Sequence, residues 1–146
     1  MTQASVPYFS GKSRVRYTMA AETCVIVCVE REHGAYQSCS RELNARFGDK
    51  IRLVHFPAAK TALDYLSSNR ADLVISSLMQ AEINGIDFLN TCKELYPHLP
   101  FIIYTILEHK EDFFAWGYKP DAYVVRSSEF SVLLDTVEKL LNLKEQ

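Results

Sequence analysis

The sequence predicts an α/β sandwich built around a parallel sheet. Five short apolar runs alternate with stretches whose apolar residues recur at helical spacing, and each stretch can hold the crossover helix that parallel strands need. The composition agrees, because 48% hydrophobic and 23% charged residues over 146 positions are typical of one folded domain. No apolar run approaches the roughly 20 residues that span a bilayer, so membrane insertion is not expected.

The five apolar runs predict the strands. They are Cys24–Val29, Ile51–Phe56, Asp72–Ser76, Phe101–Thr105 and Ala122–Val125. The first run is apolar throughout, which is typical of a strand buried on both faces of a sheet. In the second run Ile51 and Leu53 alternate with Arg52, which favours a position nearer the sheet edge.

Helical patterns lie between these strands. The first helix is expected to stop at Gly48, and the second to open at Pro57, where the missing N–H of proline costs nothing. A short aromatic-rich helical piece is expected at about 109–116, and the last helix is expected to start at Ser127. The predicted inward residues are Ala35, Cys39, Leu43 and Phe47; Leu63 and Leu66; Ile86, Leu89, Cys92 and Tyr96; and Phe130, Leu133, Leu134, Val137, Leu140 and Leu141.

Domain boundaries and compartment follow from composition. Residues 1–21 contain few core-forming residues, so we expect a flexible N-terminal extension; packing against a partner is the alternative. Residues 22–146 form the single predicted domain. The four cysteines have no CxxC spacing and the four histidines are scattered, so reduced thiols in a cytoplasmic protein are expected and a metal site is not. A formal charge of −2 without a basic block argues against nucleic acid as a partner.

Candidate site residues follow from the predicted sheet. Ligands of open parallel sheets bind beyond the carboxyl ends of the strands. At that edge the sequence places Glu30, Ser77, Thr105, Ile106 and Arg126. These side chains are therefore the candidates for a functional site.

Three segments resemble response-regulator receiver domains in order and spacing. Residues 72–85 (DLVISSLMQAEING), 100–105 (PFIIYT) and 121–126 (DAYVVR) match the segments around that family's third, fourth and fifth strands, and the resemblance covers about 23–143. It implies a flavodoxin-like (CheY-like) three-layer sandwich with strand order 2-1-3-4-5. It also implies a role in two-component signal transduction, where such domains accept a phosphoryl group from a histidine kinase in a phosphorelay.

The resemblance also shows which functional positions are changed. Ser77 stands at the position of the phosphoacceptor aspartate, and Arg126 at that of the invariant lysine, whereas Thr105 and Tyr123 match the two switch positions. An aspartate is already ionised at neutral pH, but a serine hydroxyl needs an adjacent base to become a nucleophile. Ile106 follows the switch threonine, where the family has a small residue, and is expected to narrow the entrance to the site.

The acidic pair that holds Mg²⁺ in the family is degraded. One alignment places Cys28 and Val29 at those positions with Glu30 third, and a shift of two residues places Glu30 and Arg31 there. At most one carboxylate remains in either register, so Mg²⁺ binding is predicted to be weak or absent and no other cofactor is expected. We predict that Glu30 and Arg126 pair across the site, with the guanidinium in the space that Mg²⁺ and phosphate would use.

The predicted function is that of a stand-alone pseudo-receiver, a signalling protein that acts by protein–protein contact and is not an enzyme. Its predicted partner face is the aromatic cluster Phe113, Phe114, Trp116 and Tyr118; local core is the alternative for these rings. The family uses its fourth helix, fifth strand and fifth helix for partners, and a homodimer through this face is a further expectation.

Two other readings stay open at this point. The chain could be an unconventional phosphoprotein or a small enzyme that uses Ser77 or Cys28 as its nucleophile. It could also bind a ligand in the crevice without chemistry. Phosphoryl-donor and thermal-shift assays distinguish these readings from a pseudo-receiver.

Overall fold

A computed structural model describes residues 23–78, 83–108, 114–115 and 117–143. In these ranges five strands alternate with four helices. The elements are β1 (Cys24–Val29), α1 (His33–Phe47), β2 (Ile51–Phe56), α2 (Ala59–Leu66), β3 (Leu73–Ser76), α3 (Gly85–Leu95), β4 (Phe101–Thr105), β5 (Ala122–Val125) and α4 (Ser131–Leu141). The predicted extension 1–21 lies outside the described residues, as do 109–113 and 116 of the predicted short helix.

The five strands form one parallel sheet in the order β2-β1-β3-β4-β5. The predicted flavodoxin-like architecture is therefore confirmed. Four strands have the predicted bounds, and β3 begins one residue later than predicted. Asp72 lies just before β3, where its carboxylate accepts a hydrogen bond from the backbone N–H of Val25 at 2.7 Å.

Side chains alternate between the two faces of the sheet, and helices cover each face. The helices α1 and α4 pack on one face, and α2 and α3 pack on the other. Buried on the first face are Ile26, Cys28, Cys39, Leu43, Phe47, Ile51, Leu73, Ile75, Ile102, Tyr104, Val124, Leu133, Leu134 and Val137. Buried on the second are Val27, Val29, Ala59, Ala62, Leu66, Val74, Leu78, Phe88, Leu89, Cys92, Phe101, Ile103 and Phe114.

Three helix ends that the sequence predicted can be compared with the structure. Gly48 has a φ of 55°, which suits glycine and ends α1 where the sequence predicted. The helix α2 begins at Ala59, so Pro57 precedes the helix instead of opening it. The prediction that the last helix starts at Ser127 is also wrong, because the Ser127 hydroxyl bonds the backbone of Glu129 in a local turn and α4 begins at Ser131.

Within the described ranges, none of the helices has both the length and the apolar character to cross a bilayer.

Candidate functional site

The segments that follow β1, β3 and β5 meet at the carboxyl edge of the sheet. Glu30 follows β1, Ser77 follows β3 and Arg126 follows β5. The backbone N–H of Ser77 donates to the carbonyl of Val29 at 3.0 Å, which holds position 77 beside the end of β1. Glu30 and Ser77, which the sequence assigns to the acidic and phosphoacceptor positions, therefore lie at the same edge of the sheet.

These side chains line a recess of about 20 Å³. Its walls are Cys28, Val29, Glu30, Ala35, Tyr36, Cys39, Ile75, Ser77, Tyr104 and Arg126. A water molecule needs roughly 10–15 Å³ of such space. The recess therefore has room for about one water molecule.

The predicted ion pair between Glu30 and Arg126 is present, with Nη2 of the arginine donating to Oε1 of the glutamate. The strands β1 and β5 are separated by β3 and β4, so the pair spans about 14 Å of sheet at ~4.8 Å per strand spacing. The Arg126 side chain passes over Tyr104 of β4, whose ring centroid lies 4.9 Å from Cζ of the arginine. The aromatic face stabilises the cation along its path.

Both oxygens of the Glu30 carboxylate are used. Oε1 accepts from Arg126, and Oε2 accepts from the backbone N–H of Glu32 at 3.0 Å. The Glu30 side chain is only 11% exposed and that of Arg126 is 21% exposed. The pair is therefore largely withdrawn from water, where each charge depends on the other for its stability.

Arg126 remains a cation in this setting. Burial lowers the pKa of its guanidinium, but arginine starts so high that it is not deprotonated in proteins. Its backbone N–H donates to the carbonyl of Thr105 at 2.7 Å, which fixes where the side chain leaves β5. Its Nε is buried without a hydrogen-bond partner among the described residues, a cost that the ion pair has to offset.

Two residues that the sequence analysis missed support the backbone of Glu30. Nε2 of His55 lies 2.7 Å from the Glu30 carbonyl oxygen, and because a carbonyl only accepts, this nitrogen carries the proton. The His55 ring stacks on Tyr36 with centroids 3.9 Å apart. Burial, and then the nearby His33, lower the pKa of His55. A neutral His55 is thus suited to hold the Glu30 main chain.

Cys28 lies in the recess but is a poor nucleophile. Burial, with a further contribution from Cys39, raises the pKa of the Cys28 thiol well above its ordinary value. Burial also raises the pKa of Cys39 to about 12. Since the thiolate is the reactive form, both residues stay inert at neutral pH. No disulfide bond joins the four cysteines, all of which lie in the described ranges.

The donor set does not fit Mg²⁺, which prefers an octahedron of oxygen ligands. The single carboxylate, Glu30, is already bound to Arg126 and to a backbone N–H. Cys28 offers a buried thiol, Val29 offers no donor, and the guanidinium repels a cation. Elsewhere in the described ranges, no group of three or more His, Cys, Asp or Glu side chains is arranged to hold a metal.

The two switch-type residues contact the loop after β4 and do not line the recess. The Tyr123 hydroxyl donates to the carbonyl of Leu107 at 2.8 Å, and the hydroxyl oxygen of buried Thr105 lies 3.5 Å from the N–H of Leu107. Burial raises the pKa of Tyr123. Ile106 is 71% exposed and is not among the residues that line the recess, so the prediction that it narrows the entrance stays a prediction.

The predicted aromatic partner face is only partly described. Phe113 and Trp116 lie outside the described residues. Phe114 is buried and packs edge-on against Tyr123 with centroids 6.1 Å apart, so its assignment to an exposed face is wrong. Tyr118 is exposed, and its backbone N–H donates to the side-chain oxygen of Asn90 at 2.8 Å.

Comparison with known proteins supports the same fold. No family model and no curated protein sequence matches the chain. A response regulator from Thermotoga maritima, solved in complex with Mg²⁺–BeF, has a TM-score of 0.73 and 25% identity over 82% of this chain and 100% of its own. A chemotaxis response regulator of Vibrio cholerae has a TM-score of 0.70 and 18% identity, covering 82% of this chain and 100% of its own. A CheY-like receiver domain from Methanospirillum hungatei has a TM-score of 0.73 and 17% identity, covering 83% and 95%. The chain therefore has the fold of response-regulator receiver domains.

Proposed function

We propose that this chain is a pseudo-receiver, a signalling module that acts by contact with another protein and is not phosphorylated at position 77. The observation that carries the proposal is the ion pair of Glu30 and Arg126, which crosses the recess beside Ser77. The guanidinium supplies a fixed positive charge to the one carboxylate, so the charge balance is met without a metal ion.

The chemistry at position 77 supports the same proposal. Ser77 is buried and needs a base close to its hydroxyl before it can attack phosphorus. Among the described residues that line the recess, Glu30 is the one carboxylate and there is no histidine. Glu30 is held by Arg126 and is not available as a base. Catalysis through Ser77 or Cys28 is therefore not part of the proposal.

We propose that the protein signals by binding a protein partner in the cytoplasm. A homodimer is one form of that contact. Three exposed side chains on the β5 side of the molecule support a contact surface there: Tyr118, Val125 on β5 and Val132 on α4. Tyrosine is enriched where interfaces derive most of their binding energy. Phe113 and Trp116 remain candidates for this surface. Phe114 is not a candidate, because it is buried.

Phosphoryl transfer is tested by incubating the chain with acetyl phosphate and Mg²⁺ and measuring intact mass. The wild type and a Ser77→Asp variant are both expected to gain no phosphoryl mass, because restoring the acceptor alone leaves the guanidinium in place. Adding Arg126→Met to Ser77→Asp is the matched variant that frees the Glu30 carboxylate, because methionine carries no charge. A stoichiometric mass gain by the wild type would overturn the proposal, and a gain by Ser77→Asp alone would show that the ion pair does not block the site.

The contact surface is tested separately by a pull-down from the source cells. Tyr118→Ala and Trp116→Ala are expected to lose captured protein relative to the wild type. Leu95→Ala is the control, since Leu95 is also exposed but lies at the end of α3. Equal capture by all of these variants would contradict the proposed surface.

A further inference from the structure

The exposed Tyr118 follows a turn that α3 holds in place through one side chain, Asn90. The backbone N–H of Tyr118 donates to Oδ1 of Asn90 at 2.8 Å. The two residues are 28 positions apart in the chain, and Asn90 lies in the middle of α3. Since a helix is a more rigid support than a loop, this hydrogen bond ties Tyr118 to a fixed point of the fold.

Gly117, the residue before Tyr118, lies against the same side-chain amide. A Cβ at Gly117 would lie 2.5 Å from Oδ1, 2.6 Å from Nδ2 and 2.8 Å from Cγ of Asn90. Glycine is therefore the residue that leaves Asn90 in the position where it accepts from Tyr118. The hydrogen bond and the close approach are two separate observations of one contact between α3 and residues 117–118.

The start of the same turn is held by β5. Phe114 is buried and packs edge-on against the ring of Tyr123. The backbone N–H of Gly117 donates to the carbonyl of Phe114 at 3.4 Å, which links the two ends of the turn. One end of the turn is thus packed on β5 and the other is bonded to α3, whereas the Tyr118 side chain stays exposed.

A contact residue that is already fixed is suited to binding. Association has to order mobile loops and side chains at an interface, and a segment that is ordered beforehand avoids that loss of entropy. The Asn90 hydrogen bond supplies such order directly beside Tyr118, one of the exposed residues of the proposed contact surface.

We propose that Asn90 is the positioning residue of this contact surface. Its side-chain amide fixes the backbone of residues 117–118, so that the Tyr118 ring is presented to the protein partner from one backbone position. Asn90 acts through Tyr118 and does not itself have to touch the partner. The inference rests on the proposed function, because it concerns the same surface, and it adds α3 to the elements that form it.

Amide exchange of the full chain, followed by NMR, tests the positioning. Asn90→Ala removes the acceptor and is expected to speed exchange of the Tyr118 amide by about fivefold, as the loss of one ordinary hydrogen bond would. Asn90→Asp keeps an oxygen at the same place and is expected to keep the wild-type rate. Glu94→Gln is the matched control, at an exposed position one helical turn further along α3.

Two results of this measurement would overturn the proposal. They are an unchanged rate for the Tyr118 amide in Asn90→Ala, and an equally large increase in Asn90→Asp. Unchanged exchange in β1 and β4 verifies that the variants are folded.

Gly117→Ala tests the same contact by an independent change. The added methyl group would displace the Asn90 amide, so this variant is expected to speed exchange of the Tyr118 amide as Asn90→Ala does. The double variant Asn90→Ala/Gly117→Ala is expected to show no further increase, because the hydrogen bond is already lost and the shorter side chain leaves room for the methyl group. Effects that add up in the double variant would overturn the proposal.

A pull-down from the source cells tests the consequence for binding, with Tyr118→Ala as the reference. Asn90→Ala and Gly117→Ala are expected to lose captured protein, whereas Asn90→Asp and Glu94→Gln are expected to retain it. Full capture by Asn90→Ala, together with a loss by Tyr118→Ala, would overturn the role of Asn90 and leave the proposed surface intact. Full capture by Tyr118→Ala as well would contradict the proposed surface, and the role of Asn90 with it.

Discussion

The Arg126 guanidinium lies over the Tyr104 ring and ends on the Glu30 carboxylate, so one side chain links the edge strand β5 to β1 across β4 and β3. The two residues are 96 positions apart in the chain. Because both side chains are mostly buried, neither charge is well solvated once its partner is removed. The pair therefore contributes both to the electrostatics of the recess and to the stability of the sheet.

Replacing Arg126 with methionine is expected to destabilise the protein by about 2 kcal/mol. The general cost of leaving a buried carboxylate without its partner is ~3–5 kcal/mol, and the partial exposure of this pair reduces it. Urea unfolding at neutral pH measures the change. Adding Glu30→Gln to Arg126→Met should recover part of the loss, since the buried negative charge is then gone.

The matched control is Arg70→Met, at an arginine that also pairs with a carboxylate but is 54% exposed on its side chain. Exposed pairs contribute ~0–1 kcal/mol, so this variant should lose less than half as much stability. Equal losses for Arg70→Met and Arg126→Met would mean that burial of the Glu30 pair does not matter.

Tyr123→Phe is expected to loosen the loop after β4. The substitution removes the hydroxyl that donates to the Leu107 carbonyl, a hydrogen bond with a net value of about 1 kcal/mol. Hydrogen exchange should increase in residues 106–108 and stay constant in β1. Tyr118→Phe, at an exposed ring, serves as control, and an identical increase there would contradict the specific role of Tyr123.

The strands were predictable from the sequence because each is a short apolar run between polar turns. The ion pair was predictable from charge. Glu30 and Arg126 are the first charged residues after β1 and β5, and opposite charges at one edge of the sheet attract. His55 was missed although a signal existed. Every second side chain of a strand lies on the same face, and His55 lies two residues after Leu53 and four after Ile51. His55 is therefore on their face of β2, towards α1.

Two other features carried no reliable signal in the sequence. Phe114 belongs to a run of aromatic residues, and the sequence does not show which ring turns inward; its packing against Tyr123 decides this. The start of α4 depended on the Ser127 hydroxyl, which bonds its own turn instead of capping a helix. Serine side chains suit both roles equally well.

Gly85→Ala is expected to destabilise the protein by more than ~2 kcal/mol. A Cβ at Gly85 would lie 2.6 Å from the Ser77 carbonyl oxygen and 2.7 Å from Cα of Leu78, both of them backbone atoms. The first turn of α3 would have to move away from the segment that carries Ser77, which disrupts well-packed structure. Thermal unfolding measures the loss.

Gly34→Ala is the matched control in α1, where an added Cβ meets no atom within 4 Å. Alanine is the better helix former, so this variant should be neutral or more stable by up to ~1 kcal/mol. The prediction for Gly85 fails if both substitutions have the same small effect.

Buried thiols are expected to make the fold sensitive to alkali. Burial raises the pKa of Cys39 and of Cys92 from 9.0 to about 12, and it raises that of Cys28 as well. Above pH 9 the unfolded chain releases protons that the folded chain retains, so stability is complete below pH 9 and falls progressively towards pH 12. Each such thiol contributes up to about 1.4 kcal/mol per pH unit to the slope.

Urea unfolding at a series of pH values between 8 and 12 measures that slope for wild type and Cys39→Ala. The variant loses stability at every pH through the cavity it creates, but its stability should fall less steeply above pH 9 because one titrating group is gone. Leu43→Ala is the control: it truncates a buried neighbour on the same helix that does not titrate, so it should lower stability without changing the slope. A Cys39→Ala slope equal to that of the wild type would show that the Cys39 thiol is not responsible for the alkaline loss.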